Sequence, residues 1–217
     1  MTREESLAWR PDAEDEAFCA LYGDWDPLTP AELRDLMAGY PEPWWVVGGW
    51  SVEAFTGVPR FHEDIDLVVY VEHVPQLREQ LGPLFHLWSN AGGTFRVIDD
   101  RCPEPIEPLS QIWMREDARS PWRVDCILNG SVGGRWQSKR DASWVADLEE
   151  VTWVADDGVR YLRPEVSLLF KAKQHRVKDR IDLVGVWPLL DDERRAWLRE
   201  SVRRLHPGHP WQARLDA

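Results

Sequence analysis

Apolar and polar positions along this chain alternate with changing period, and the changes mark out its elements. Residues 1–27 are acidic and weakly periodic, which predicts a helix or a mobile arm. Thr29-Pro30-Ala31-Glu32 reads as a capping box with proline at the first helical position. The helix it starts runs through Leu33, Leu36 and Met37 and stops near Gly39. Pro41 and Pro43 enforce an extended entry into a short buried strand over 44–47, stopped by Gly48-Gly49. A helix is predicted from about residue 50 to 55, ended by Gly57 and Pro59. Residues 65–71 are the strongest strand signal, rich in β-branched residues. A helix over 73–81 follows, then a hairpin over 85–98 turning at Asn90-Ala91-Gly92-Gly93. Residues 111–115 and 123–128 read as two more strands. A second hairpin, over 150–162, turns at Asp156-Asp157-Gly158. After Pro164 the period becomes helical, over 165–186 and 191–205, with a break near Pro188 and an end at His206-Pro207-Gly208.

Strands first and helices afterwards predict an α+β fold. Its parts are an N-terminal arm or helix (1–28), a core with a mixed β-sheet of about five strands flanked by helices (29–163), and a C-terminal helical subdomain (164–217). No apolar run approaches the ~18–20 residues needed to span a bilayer, and no membrane partner is expected. Three cysteines without ligand-like spacing argue against a disulfide framework or a Cys-based zinc site, and a cytoplasmic location is expected. The formal net charge of −12 disfavours a partner held by bulk phosphate contacts, although tRNA is not excluded. It fits a cationic small substrate better. Fourteen tryptophans read mainly as packing residues, with a stacking platform as the minor reading.

The chemistry concentrates in residues 44–70, WWVVGGWSVEAFTGVPRFHEDIDLVVY. Side chains alternate on a strand, so Asp64 and Asp66 share one face. Two such carboxylates repel each other unless a cation sits between them, and oxygen-only ligands at that spacing suit Mg²⁺. The Gly48-Gly49 turn ahead of a helix supplies backbone N–H groups for phosphate, with Ser51 as a further hydroxyl donor. A phosphate cradle and a carboxylate pair around one helix are the two halves of a metal–nucleotide site. His62 beside this pair reads as structural.

GGWS followed by His62-Glu63-Asp64-Ile65-Asp66-Leu67 resembles the nucleotidyltransferase superfamily with the DNA polymerase beta-type palm. The branch it is most similar to is the aminoglycoside 2''-adenylyltransferase-like proteins. YLRPEVSLLFKAKQHRVKDRIDLVGVWPLL, residues 161–190, resembles the helical segment of these proteins and of AbiEii-type toxins. Glu63 departs from the more usual Asp. The resemblance implies a third carboxylate on a neighbouring strand. Asp125 within Val124-Asp125-Cys126-Ile127 is the candidate, since an Asp in such a run is unfavourable without a partner. Asp99, Asp100 and Glu116 are weaker rivals. The resemblance also implies a helix lysine that reaches the triphosphate. Lys171 matches its position, with Lys173 close behind. Lys171, His175, Asp179 and Asp182 recur at one-turn spacing and predict a single polar stripe, in which Asp179 and Asp182 orient Lys or Arg side chains. Arg60 and Arg140 read as surface arginines, with phosphate contact as the alternative.

Together these readings describe a Mg²⁺-dependent nucleotidyltransferase that moves NMP from an NTP, ATP being expected, to a small-molecule hydroxyl acceptor, aminoglycoside-like compounds included. Asp64, Asp66 and Asp125 would bind two Mg²⁺, Asp125 would also draw the acceptor proton, and Gly48, Gly49, Ser51 and Lys171 would hold phosphates. The alternatives are a toxin acting on tRNA or protein, a glycosyltransferase using Asp-x-Asp with a metal, and a non-catalytic nucleotide-binding pseudoenzyme. Net charge and tryptophan supply further predict that the cleft wall opposite Asp125 is acidic and aromatic.

Overall fold

The computed structural model describes residues 13–216; residues 1–12, on which part of the expected N-terminal arm falls, lie outside them. Among the described residues the helices are α1 (Ala13–Tyr22), α2 (Pro30–Leu36), α3 (Gly48–Thr56), α4 (Val74–Leu81), α5 (Leu148–Val151), α6 (Pro164–Ala172), α7 (Val177–Val186), α8 (Asp192–Leu205) and α9 (Gln212–Leu215). The strands are β1 (Trp44–Val46), β2 (Asp66–Tyr70), β3 (His86–Ala91), β4 (Thr94–Val97), β5 (Gln111–Arg115), β6 (Val124–Asn129), β7 (Ser131–Val132), β8 (Arg135–Gln137), β9 (Val145–Ala146), β10 (Thr152–Val154) and β11 (Arg160–Leu162).

Local chemistry sets several boundaries where the sequence places them. Glu32 Oε2 accepts from Thr29 N at 2.8 Å and Thr29 Oγ1 accepts from Glu32 N at 3.3 Å, which closes the capping box at the start of α2. Gly92 and Gly93 both take positive φ, 57° and 83°, and so form the tight turn between β3 and β4. Other boundaries move. Helix α3 begins at Gly48, so the glycine pair is the first turn of the helix rather than a loop that stops the strand. Asp64 precedes β2 instead of opening it.

The sheet is larger than the five strands expected. Eight strands pair in the order β10-β11-β1-β2-β6-β5-β3-β4, and β7, β8 and β9 form a second, three-stranded sheet. β2 and β6 run parallel, as do β1 and β11, while the other neighbours in the large sheet are antiparallel. The short strands of the second sheet carry too little alternation to stand out from loop in the sequence.

The predicted helix over 165–186 is two helices. His175 adopts a left-handed backbone, φ 52°, and breaks the chain between α6 and α7. Asp179 Oδ2 accepts from Arg176 N at 2.9 Å and caps the new helix start. The single polar stripe from Lys171 to Asp182 therefore does not exist as one helix face. Lys171 faces Asp179 and Asp182 across the break.

One face of the large sheet packs Leu67, Val69, Ile112, Cys126 and Leu128 against Leu33 of α2, Met37 just after it, and Leu77 and Leu81 of α4. A second cluster gathers α6 to α9 around Leu168, Leu183, Leu198 and Trp211, and Val52 of α3 joins it. Between them, Trp45, Val68 and Tyr70 of the sheet meet Trp136 and Val166. The N-terminal segment docks on the sheet end: Asp26 N bonds to Trp122 O at 3.0 Å, Trp122 Nε1 donates to Tyr22 O at 2.8 Å, and Trp25 packs edge-on against Trp113. Among the described residues, five tryptophans (45, 113, 122, 136 and 211) are buried, in keeping with their reading as packing residues. No helix among the described residues is long and apolar enough to cross a membrane.

Candidate active site

Parallel pairing of β2 with β6 brings the acidic residues together. Asp66 and Asp125 are register partners, so their side chains leave the sheet on the same face, and Asp125 N donates to Ile65 O at 3.1 Å. Asp64 lies two residues before Asp66 on the same face, with Ile65 buried on the other. One carboxylate oxygen from each of Asp64, Asp66 and Asp125 falls within 4.8 Å of the others. Asp99 instead caps Arg101 N and Cys102 N, Asp100 pairs with Arg78, and Glu116 pairs with Arg123.

Burial pushes all three triad carboxyl groups up. Asp66 rises to about 7, with Asp64 as the next cause. Asp125 lies well above the ordinary carboxylate range, with Asp66 and Asp64 adding to the effect of burial. Asp64 is raised by burial and Glu63, against the pull of Lys178. Gln111 Nε2 donates to Asp125 Oδ2 at 2.6 Å, while Asp125 Oδ1 is buried without a hydrogen-bond partner. Three converging carboxylates, one with an orphaned buried oxygen, fit a hard divalent cation, which would satisfy that oxygen and reverse the pKa shifts.

The glycine turn approaches this triad closely. Gly48 has φ 71°, and a Cβ there would stand 1.9 Å from Asp66 Oδ2. A Cβ on Gly49 would lie 3.0 Å from His62 Nδ1. Val47 provides no side-chain cap for α3, so the N-cap side chain does not compete for the first N–H groups of the helix. The loop from α3 to Asp64 is clamped back onto the helix. His62 stacks on Trp50 at 3.6 Å between centroids, Glu53 Oε2 is 2.8 Å from His62 Nε2 and accepts from Arg60 N at 2.9 Å, and Trp50 Nε1 donates to Asp64 O at 3.1 Å. His62 is thus structural, as its sequence context suggests.

Ser51 departs from expectation. It is fully buried, donates to Gly48 O at 3.0 Å and shares a 2.8 Å hydrogen bond with Ser167 Oγ. Its hydroxyl stiffens the turn from behind and does not face the cleft. Lys171 lines the cleft, whereas Lys173 is exposed at the end of α6. Lys171 Nζ lies 2.8 Å from Asp182 Oδ2 and 3.8 Å from Asp179 Oδ1. Arg60 also pairs with Asp182, and Arg176 Nε is 3.1 Å from Asp179 Oδ2. Asp179 and Asp182 orient cations, as expected of them.

The triad opens into a cleft of about 1100 Å³ floored by the sheet. On its helical wall, cations outnumber the one carboxylate, Asp182. α7 and the turn before it present Arg176, Lys178 and Arg180 there, with Lys178 Nζ 2.9 Å from Glu63 Oε1. Trp45, Trp136 and Phe170 supply the aromatic part. The net charge of the chain therefore does not forecast the sign of the cleft, because compensating carboxylates and cations are sorted locally. Sequence reasoning missed Gln111 and Lys178, which are set by cross-strand register and by an ion pair spanning 115 residues. For Gln111, strand alternation with Trp113 was the available signal.

This chain is similar to known proteins. The family model of aminoglycoside-2''-adenylyltransferase matches residues 31–84. Among solved structures, the crystal structure of ANT(2'')-Ia in complex with adenylyl-2''-tobramycin superposes with a TM-score of 0.53 at 15% identity, covering 82% of this chain and 99% of that one. The fold is that of a nucleotidyltransferase. The solution structure of the antibiotic-resistance factor ANT(2'')-Ia shares this nucleotidyltransferase fold at TM-score 0.53 and 16% identity, over 80% of this chain and 88% of that one. The lincomycin-bound lincosamide antibiotic adenylyltransferase LnuA gives 0.51 and 15%, over 73% and 94%. No curated protein matches the sequence. The matched stretch 31–84, aminoglycoside-adenylyltransferase-like, carries the glycine turn and two of the three carboxylates of this nucleotidyltransferase fold.

Proposed function

We propose that this chain transfers a nucleoside monophosphate from an NTP, ATP being the expected one, to a hydroxyl group of a small molecule. The acceptor oxygen bonds to the α-phosphorus, the α–β phosphoanhydride bond breaks, and pyrophosphate leaves. The observation that carries this reading is the approach of Asp64, Asp66 and Asp125 to within 4.8 Å beside the uncapped start of α3.

Asp64, Asp66 and Asp125 would hold Mg²⁺, two ions in the full site. When bound, the metal supplies neutralisation of charge at the transferring phosphoryl group. The remaining work belongs to the chain. The N–H groups of the Gly48-Gly49 turn and Lys171 bind the β- and γ-phosphates. Asp125 takes the proton of the acceptor hydroxyl, with Gln111 fixing its other oxygen. The Trp50–His62 stack and the Glu53 bonds hold the loop that delivers Asp64. Ser51 and Ser167 hold the turn from behind.

Incubation with each α-labelled NTP, Mg²⁺ and separate acceptors (tobramycin, lincomycin and bulk tRNA as first probes), followed by mass spectrometry and pyrophosphate assay, tests the reading. Asp64→Asn and Asp66→Asn are each expected to abolish transfer with the fold intact. Undiminished transfer by both variants, or full activity in excess EDTA, overturns it.

A further inference from the structure

The cations around the cleft divide by the carboxylate they act on. Lys171, Lys178 and Arg176 act on Asp64 and Asp66. Lys139 acts on Asp125, which stands on β6, one strand further along the sheet from β1 and β2, the strands that α3 connects. Lys139 and its neighbour Arg140 both line the cleft.

The turn that carries them is firmly built. Ser138 is buried, and its Oγ accepts from Arg140 N at 3.2 Å and Asp141 N at 3.3 Å. Asp141 Oδ1 accepts from Ser143 N and Oγ at 3.0 and 2.6 Å, and its Oδ2 accepts from Arg204 at 2.6 Å. Arg140 Nη2 donates to Phe170 O at 3.3 Å, and its guanidinium lies 5.1 Å from the Phe170 ring centroid. Arg140 Nε is buried without a hydrogen-bond partner. Lys139 is half-buried and makes no hydrogen bond or ion pair among the described residues. Burial pulls its pKa down, with Asp125 as the largest opposing influence. Lys139 without a partner and Arg140 with a buried, unpaired Nε are suited to receive an anion.

In-line displacement puts the leaving pyrophosphate and the attacking hydroxyl on opposite sides of the α-phosphorus. With the Gly48 turn and Lys171 on the pyrophosphate, the Asp125 side belongs to the acceptor. An acceptor bearing several ammonium groups would meet Lys139 and Arg140 there. Of the acidic lining residues outside the triad, Glu63 and Asp182 are paired with cations, and Glu107 is exposed on the loop before β5. A phosphate or carboxylate would instead find a point charge and a forked donor. Long-range repulsion from a chain with net charge −12 disfavours a polynucleotide. We infer that the acceptor is a small hydroxyl compound carrying a phosphate or carboxylate group, which Lys139 and Arg140 hold next to Asp125. This inference rests on the nucleotidyl-transfer reading of the same cleft.

The test is calorimetric. The full chain is first titrated with a non-hydrolysable ATP analogue and Mg²⁺; absence of binding there fails the nucleotidyl-transfer reading itself. The chain saturated with that analogue is then titrated with glucose, glucose 6-phosphate, gluconate, tobramycin and bulk tRNA. Glucose 6-phosphate or gluconate is expected to bind about tenfold or more tightly than glucose, the value of one charge-assisted hydrogen bond, and the two arms distinguish phosphate from carboxylate. Lys139→Gln is expected to remove most of that preference while analogue affinity and melting temperature stay unchanged. Arg140→Lys, which keeps the charge and loses the fork, is expected to remove part of it. Equal binding of glucose and the anions, tighter binding of tobramycin, saturable binding of tRNA, or weakened analogue binding in Lys139→Gln each overturns the inference.

Discussion

Gly48 stands so close to Asp66 that no side chain fits at position 48 while the Asp66 carboxylate keeps its place: a Cβ on Gly48 would stand 1.9 Å from Asp66 Oδ2. The phosphate-facing turn and the metal-facing carboxylate are thus one packed unit. Gly57, at the other end of the same helix, has a similar φ of 65° but nothing within 4 Å of its would-be Cβ. Both Gly→Ala variants carry the same backbone strain, of about 1 kcal/mol. Only Gly48→Ala also displaces Asp66. Its transfer rate is expected to fall by roughly 100-fold or more, while Gly57→Ala keeps its rate and loses only stability. Steady-state kinetics and thermal melts of the two variants check this.

Mutual repulsion in the triad has a stability consequence. In metal-free protein, Asp66→Asn is expected to raise the melting temperature, since like charges no longer converge in a buried site. Mg²⁺ at tenfold above its Kd is expected to stabilise the wild type by about 1.4 kcal/mol, roughly 3–5 °C, and to leave Asp66→Asn almost unmoved. Differential scanning calorimetry with and without Mg²⁺ checks both statements, and an equal Mg²⁺ shift in the two proteins would contradict them.

Ser51 and Ser167 form a buried hydroxyl pair at 2.8 Å. Ser51→Ala is expected to cost about 1 kcal/mol of stability and to leave KM for the NTP within about twofold of wild type, because the hydroxyl does not reach the cleft. A double-mutant cycle with Ser167→Ala is expected to show coupling of the same size.

Lys171 lines the cleft and Lys173 does not. Lys171→Gln is expected to raise KM for the NTP about tenfold, the loss of one charge-assisted phosphate contact. Lys173→Gln is expected to change it little. Equal effects would remove the assignment.

His209 has both ring nitrogens engaged in its neutral form. Nδ1 accepts from Trp211 N at 3.1 Å, and Nε2 donates to Ala172 O at 2.9 Å. Burial lowers its pKa, the Ala172 bond opposes this, and His175 and His206 lower it further. A base whose folded pKa lies below its unfolded value of 6.5 takes up more protons when unfolded. The stability it contributes is complete above pH ~6.5 and declines as pH falls towards the folded pKa. Wild-type melting temperature is expected to drop more steeply between pH ~7 and ~5.5 than that of His209→Asn, as measured by circular dichroism melts.

Much of the fold was legible because its signals are local. The capping box at Thr29, the glycine turn at Gly92-Gly93 and the β-branched run at 65–71 each act within a few residues. The triad was legible for the same reason in part: alternation places Asp64 and Asp66 on one face without any tertiary information. What the chain could not disclose alone are relations that depend on register and on distant segments. Asp125 meets Asp66 because β6 pairs parallel to β2, and Gln111 reaches Asp125 because β5 lies beside β6. The break at His175, which sets Lys171 facing Asp182 across a turn, follows from a backbone conformation that packing stabilises and helical periodicity conceals. The sign of the cleft was hidden as well, since net charge is a sum over the whole surface, while the field at a site depends on which few side chains the fold brings within reach.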